Sequence, residues 1–85
     1  MKQELRALNV PKPIRVKVGA GGRPLVLHLE GRARRIRQIL NIWQIDDEWW
    51  RDRISRRYAT VVLENGQMMT IYRNLLDGRW YVQEG

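Results

Sequence analysis

Four acidic residues lie close together around a pair of adjacent tryptophans, and such a cluster could bind a hard cation. They are Asp46, Asp47, Glu48 and Asp52. Calcium-binding loops space their oxygen ligands around a glycine at a fixed step, whereas this segment contains no glycine. Arginines are interleaved with the acids and follow them, so a local ion-pair network is the better interpretation. The arginines concerned are Arg51, Arg53, Arg56 and Arg57. We therefore expect neither a metal site nor a cofactor.

Trp49 and Trp50 are the second chemically distinctive feature of this segment. Neighbouring side chains of an extended backbone point to opposite faces, so one ring could fill the core while the other stays near the surface. An exposed tryptophan beside Arg51 could stack on a nucleobase or anchor a protein contact. The alternative is that the domain's own tail or strands cover both rings, because a chain without phenylalanine has few other large side chains.

Nucleophilic catalysis is poorly supported by the residues available. The chain has one serine, Ser55, one histidine, His28, and no cysteine. Ser55 has no base near it in the sequence, and a hydrogen bond within a turn is its expected role. His28 is expected to be a structural or solvent-exposed side chain. We therefore expect a protein that is not an enzyme, and the lack of cysteine excludes disulfides and thiolate-bound metals.

Positive charge is concentrated in the first half of the chain. Residues 1–37 contain ten Lys/Arg and two acids, whereas residues 38–85 contain six Arg and seven acids, and the net charge is +7. This asymmetry indicates an anionic partner, either nucleic acid or the acidic surface of a protein. A solvated basic surface is the simpler alternative. In an alternating strand, Arg35 and Arg37 of the densest basic run would project together, opposite Arg34.

No recognition helix, zinc finger or ribonucleoprotein motif accompanies these arginines. Binding to nucleic acid would therefore depend on the phosphate backbone and would be sensitive to salt. The candidate residues for binding nucleic acid or a protein partner are Arg32, Arg34, Arg35, Arg37, Trp49, Trp50, Arg51, Arg56 and Arg57.

The elements that must position these residues are mostly strands. Residues 14–18 alternate apolar and basic side chains, which predicts a half-buried strand with its isoleucine and two valines inward. Residues 19–22 are rich in glycine and predict a turn. Residues 24–30 alternate again, with three leucines on one face and His28 on the other. Together these segments predict a hairpin.

Residues 34–45 fit two templates. The apolar spacing at positions 36, 39, 40 and 43 suits a helix, whereas that at 39, 43 and 45 suits a strand. Because β-branched residues abound and the neighbouring segments alternate as strands, we favour a long strand with a bulge. A short helical turn is the alternative. Residues 46–53 are then expected to be a charged connection.

Residues 57–64 and 67–74 predict a second hairpin around Asn65-Gly66, a strong signal for a two-residue turn in which both residues have positive φ. Such a turn pairs Leu63 with Met68 and Ala59 with Tyr72. Both faces of the hairpin are then largely apolar, which a one-sided sheet would not require. Either the sheet curls into a small barrel with the tail packed outside, or one face binds a partner, for which a second copy of the chain is one candidate.

These segments, with a last strand at 79–83, predict an all-β fold, either a small antiparallel meander or a partly closed barrel of five to six strands. The prolines at positions 11 and 13 prevent a helix from continuing through them. Residues 1–13 are therefore expected to form a flexible, extended tail, and residues 14–85 a single β domain. No apolar run is long enough to span a membrane and no secretory signal is evident, so a soluble, cytoplasmic protein is expected.

From Ile36 onward, short motifs follow one another in a distinctive order. They are I-x-x-I-x-x-x-W-x-I-D-D-E-W-W-R, I-S-R-R-Y, V-V-L-E-N-G, T-I-Y-R-N-L and D-G-R-W-Y-V-Q. This order resembles a small bacterial β-domain that also occurs, in shorter form, near the C-terminal end of inactive Y-family-polymerase-like proteins (ImuB type) of the damage-induced mutagenesis complex. The matching steps are Trp49-Trp50, Arg56-Arg57-Tyr58, residues 61–63, Tyr72-Arg73 and residues 78–81.

The resemblance implies an accessory or interaction module associated with DNA repair, and not a polymerase. The chain departs from those tails in its N-terminal hairpin, residues 14–30, and in its acidic step at positions 46–48. The expected function is non-catalytic binding of a protein partner, such as a polymerase-associated factor in translesion synthesis or a related repair assembly. The alternative is direct, sequence-nonspecific binding of single- or double-stranded DNA through the basic first half.

Overall fold

The computed structural model describes residues 11–49 and 52–83, with Trp49 and Asp52 described by their backbone alone. In this part of the chain the strands are β1 (Lys12–Val18), β2 (Pro24–Leu29), β3 (Arg32–Trp49), β4 (Asp52–Leu63), β5 (Met68–Asn74) and β6 (Trp80–Gln83). They pair antiparallel in chain order, and β6 also pairs with β1, so the sheet closes into a barrel. The expected all-β fold is confirmed, and the barrel is fully closed.

The first hairpin forms as expected but differs in detail at its loop end. β1 includes Lys12 and Pro13, two residues of the expected tail, whereas residues 1–10 of that tail lie outside the described residues. The pairing shifts from Lys17–Val26 to Val18–Pro24, so Leu25 is the extra residue of a bulge. A bulge interrupts the alternation of faces. For this reason Pro24 is buried, whereas Val18, expected to face inward, and Leu25, expected to share a face with Leu27, are exposed.

β3 is one long strand, so the favoured interpretation of residues 34–45 is confirmed and the helical alternative is wrong. Its pairing with β4 is irregular between Ile36 and Gln38 and again between Ile39 and Asn41. The pairing then continues without a break to Trp49 opposite Asp52. The expected charged connection at residues 46–53 is therefore wrong in its described part, because those residues extend the β3–β4 hairpin.

The β4–β5 hairpin forms around Asn65-Gly66, but its register differs by one residue from the expected one. The N–H of Gly66 donates to the carbonyl of Leu63, and the N–H of Leu63 donates to the carbonyl of Gln67. The loop therefore has three residues, and of these only Gly66 has positive φ. This is a type I turn followed by a glycine bulge, the next most common hairpin connection. Tyr72 consequently lies opposite Tyr58, and Ala59 lies opposite Ile71.

The barrel interior is filled by apolar side chains from all six strands. Leu27, Val61, Leu63 and Ile71 are inaccessible to solvent. Ala59 and Val82 complete the buried cluster, and the partly buried side chains packed against it are Ile14, Val16, Leu29, Ile36, Ile39, Met69 and Trp80. The expected apolar character of both faces of the β4–β5 hairpin is explained by this arrangement. One face lines the interior, and the other carries tyrosines on the outside of the barrel.

The described residues contain no helix with the length and apolar character needed to cross a membrane.

Candidate binding surfaces

A basic face covers the outside of the barrel over β1, β2 and β3. We define it by Arg15, Lys17, His28 and Arg35, all of which are exposed. Arg15 lies opposite His28, and both Lys17 and Arg35 lie opposite Val26. These side chains share the outer face because their neighbours along each strand point into the interior. Arg35 is therefore exposed on the outer surface, and its predicted role in binding stays a prediction.

The other arginines of the basic run take different positions. Arg34 lies opposite the core residue Leu27 and is half-buried, so it is on the opposite face from Arg35, as expected. Arg37 is exposed within the first irregularity of β3, and Arg32 is exposed beside the turn from β2. The side chains of Arg32, Arg34, Arg35 and Arg37 form no hydrogen bond or ion pair with any described residue. Their positive charge is not neutralised by the described part of the domain.

A ladder of four aromatic rings crosses the outer face of the barrel over β3, β4, β5 and β6. Trp43, Tyr58, Tyr72 and Tyr81 lie opposite one another on β3, β4, β5 and β6. Successive ring centroids are 5.3, 5.0 and 5.2 Å apart. Such pairs contribute about 0.5–1.5 kcal/mol each beyond their area burial. Tyr58 and Tyr72 are only 9% and 3% exposed, so these two rings are structural and offer no platform for a nucleobase.

The tyrosines of β4 and β5 could have indicated this ladder, but the turn expected between the two strands gave the wrong alignment. A two-residue turn at Asn65-Gly66 puts Tyr72 opposite Ala59, whereas the observed loop aligns it with Tyr58. A shift of one residue moves every side chain of a strand to the other face. Recognising the three-residue alternative would have aligned the two tyrosines.

Arg56, a predicted binding residue, is held by this ladder. Its Nη1 donates to the hydroxyl of Tyr58 at 3.2 Å, and its guanidinium lies 4.7 Å from the centroid of the Tyr72 ring. The hydrogen bond to Tyr58 raises the pKa of Arg56 above its ordinary value. Burial raises the pKa of Tyr72, and the charge of Arg56 opposes this rise. Arg57, by contrast, is exposed and donates only to Oε1 of Gln44 at 3.3 Å.

In the acidic segment at residues 46–48, the hydrogen bonds to Asp46 come from neutral side chains. The hydroxyl of Ser55 and Nε2 of Gln44 both donate to the carboxylate of Asp46, each at 2.6 Å. These bonds, that of Ser55 first, lower the pKa of Asp46. Asp47 accepts a hydrogen bond from the backbone N–H of Glu48 at 2.8 Å. Within the described residues no acid of this segment lies within 4.0 Å of an arginine, so the expected ion-pair network is not formed there.

A further prediction about this segment concerns Ser55. Ser55 is buried within β4 and bonds across to β3, so its expected role in a turn is wrong. The described residues contain no group of three or more His, Cys, Asp or Glu placed to hold a metal ion. Trp50 and Arg51 lie outside the described residues, as does the side chain of Trp49, so the predicted roles of all three stay predictions.

An open groove lies at one end of the barrel, beyond the point where β2 and β3 stop pairing. Residues 20–24 form one wall and residues 39–42 of β3 form the other. Trp80 and Arg57 complete the lining. The β2–β3 ladder ends at Val26–Arg35, so the chain that precedes β2 does not pair with β3 here.

Comparison of the chain with protein-family models, with curated proteins and with solved structures found no match. The resemblance to ImuB-type tails therefore stays a prediction.

Proposed function

We propose that this domain is a non-catalytic interaction module that binds an acidic surface of a protein partner through its basic face. The observation that carries the proposal is the set of exposed cations on β1 and β3 that make no ion pair with the described residues: Arg15, Lys17, Arg32, Arg35 and Arg37. Unpaired like charges on one surface repel one another, and an anionic partner relieves that repulsion.

The distribution of rings supports a protein partner over stacked nucleobases. Binding of single strands combines cations with exposed aromatic rings. In this barrel the four rings of the ladder come from β3 to β6 and none belongs to the basic face, and the two central rings are buried. The resemblance to ImuB-type tails favours a cytoplasmic DNA-repair or translesion-synthesis assembly as the setting, with a polymerase-associated factor as the partner.

Direct binding of DNA is a second candidate, favoured by the same unpaired cations. Basic side chains on three neighbouring strands can contact phosphates without reading the sequence. Affinity would then fall steeply with salt, and the dependence of log affinity on log salt would lose about one unit of slope for each phosphate contact removed.

Photo-crosslinking in cells tests the proposal and separates the two candidates. A photoreactive amino acid replaces Arg35 on the basic face, and in a matched control it replaces Arg79, which is exposed on the opposite half of the chain. We expect a specific adduct from position 35 that resists nuclease and is destroyed by protease. An adduct that nuclease removes would favour DNA. Equal adducts from both positions, or none from position 35, would contradict both candidates.

A charge-reversal pair supplies the quantitative test. Lys17→Glu with Arg35→Glu removes two cations of the basic face, and Arg53→Glu with Arg79→Glu changes the net charge equally elsewhere. We expect only the first pair to abolish the adduct formed from a photoreactive residue at position 15. Titration of single- and double-stranded oligonucleotides at increasing salt then measures any DNA binding. No binding at low salt removes the second candidate.

A further inference from the structure

One edge of β3 is open over most of its length. Along Ile36–Trp49 the strand pairs with β4. On its other edge it pairs with β2, and that ladder covers only Arg32–Arg35. In residues 11–49 and 52–83 no other strand pairs with this second edge. The irregularities near Arg37 and Leu40 follow the point where the pairing with β2 ends, and the groove between residues 20–24 and 39–42 lies beyond that point.

The open edge carries apolar side chains in its middle. Leu40, Ile42 and Ile45 are 47%, 56% and 42% exposed. A strand with unpaired backbone groups and exposed apolar side chains is a template for another strand. Natural proteins protect such edges with charges, prolines, bulges or a covering element, and here the charges and the irregularities lie towards the two ends, which leaves the apolar middle. The described part of this edge has no proline and no covering strand.

The charges on the same stretch are ordered in a self-complementary way. Arg37 stands near its start, and Asp47 and Glu48 stand at its end. All three side chains are exposed, and none forms an ion pair with a described residue. Two copies of the stretch laid antiparallel place the arginine of each copy beside the acids of the other. A parallel arrangement would place like charges together, which is unfavourable.

We propose that a second copy of this chain docks on the open edge of β3, with the two β3 strands antiparallel across a twofold axis. A register that pairs Ile42 with Ile42 of the other copy keeps opposed side chains on one face of the sheet and places position 37 beside positions 47 and 48. The isoleucine pair then lies on the twofold axis and the charge pair occurs twice, as an isologous interface requires. A foreign acidic segment fits less well, because it would meet the acids at the end of the strand.

The interface leaves the four residues of the basic face free, and of the cations that carry the proposed function it uses only Arg37. Arg15, Lys17 and His28 belong to β1 and β2, and Arg35 belongs to the part of β3 that β2 already covers. The Lys17→Glu/Arg35→Glu variant should therefore associate as the wild-type chain does. Loss of partner binding and loss of self-association can be told apart by this variant.

Sedimentation equilibrium of the full chain over roughly a hundredfold range of concentration provides the test. We expect the mean mass to rise from 10.2 kDa towards twice that value. Arg37→Glu alone, and Asp47→Lys with Glu48→Lys, should each lower the association constant at least about tenfold through like-charge repulsion. Arg79→Glu, which changes the charge as much as Arg37→Glu, should leave it unchanged.

Mixing the two defective variants is the decisive step. In the mixed dimer the glutamate introduced by Arg37→Glu in one chain meets the new lysines of the other, and the native arginine meets the native acids, so association should return. Circular dichroism verifies that each variant is folded, and Ile42→Lys, which changes an apolar edge residue, should also weaken the dimer. A monomer at every concentration, a dimer insensitive to these changes, or no recovery on mixing would overturn the proposal.

Discussion

At the scale of single residues, the arginines of this small barrel divide into two kinds. Arg56 is satisfied by the hydroxyl of Tyr58 and the ring of Tyr72. Arg35 and Arg37 are exposed and make no contact of this kind with the described residues. The amino-acid composition does not distinguish these arginines from one another. Only the neighbours that the fold supplies decide which guanidinium is structural and which is available to a partner.

Arg56→Ala should destabilise the domain, because it removes a hydrogen bond and a cation–π contact from a half-buried site. We expect the free energy of unfolding to fall by about 1–2 kcal/mol. Arg56→Lys, which keeps the charge but not the planar contact, should cost less. The pKa of Tyr72 should rise further in Arg56→Ala, since the nearby cation lowers it. Urea denaturation and a spectroscopic titration of tyrosine measure both effects, and an unchanged stability would contradict this role.

Asp46 should couple stability to acidic pH. Its pKa lies below the ordinary value of 3.8, chiefly because Ser55 donates to the carboxylate. A group whose pKa is depressed by folding stabilises the fold above its unfolded pKa, and that stability is lost as pH falls through the folded pKa. Ser55→Ala should therefore raise the pKa of Asp46, and its destabilising effect should diminish below pH 3.8.

NMR titration of the Asp46 carboxyl group measures this shift directly. In a chain that already carries Asp46→Asn, the effect of Ser55→Ala on the free energy of unfolding should no longer depend on pH in this range. A pKa of Asp46 that is the same with and without the serine would show that another group causes the depression.

At the scale of elements, the β4–β5 turn determines which side chains meet. The three-residue loop gives positive φ to Gly66 and leaves Asn65 with ordinary φ. Gly66→Ala should cost roughly 1–2 kcal/mol, because an L-residue is strained in the left-handed region. An added Cβ at Gly66 has no atom within 4 Å, so the cost is one of backbone strain alone.

Asn65→Ala is the matched control for this turn. It removes only the hydrogen bond from the N–H of Gln67 to Oδ1 of Asn65, at 3.0 Å, so less than about 1 kcal/mol should be lost. A two-residue turn would strain both positions. Equal, large losses on thermal or chemical unfolding would therefore contradict the observed loop.

The strands can largely be predicted from the sequence, whereas the bulges and the conformations of the turns cannot. The sequence predicts the body of each described strand but misses the extension of β3 and β4 at residues 46–49 and 52–53, and the density of β-branched residues decides correctly between strand and helix for residues 34–45. The sequence pattern does not locate the bulges. One extra residue in a strand is a local change, and it does not alter the types of residue that identify the strand. The turn at Glu30-Gly31, where both residues have positive φ, is also concealed, since glutamate is not a residue that signals such turns.

At the scale of the whole molecule, barrel closure separates two outer surfaces that share one sheet. The basic face lies over β1 to β3, and the aromatic ladder lies over β3 to β6. The charge asymmetry of the sequence predicts the first surface, because those strands come first in the chain. The ladder needs the cross-strand registers, and the open edge of β3 needs the place where its pairing with β2 ends. The alternation of apolar and polar residues alone reveals neither of them.

β3 takes part in both halves of the barrel, since its first residues complete the β1–β2 hairpin and the remainder supports β4. Leu27 and Leu63 belong to the same buried cluster, although one precedes residues 36–38 in the chain and the other follows them. A chain cut between Ile36 and Gln38 would therefore give two fragments, each of which lacks part of the core. The molecule therefore has no autonomous subunit. The two fragments should fold only when they are mixed. A chain divided at this position could therefore report whether two proteins fused to the fragments come together.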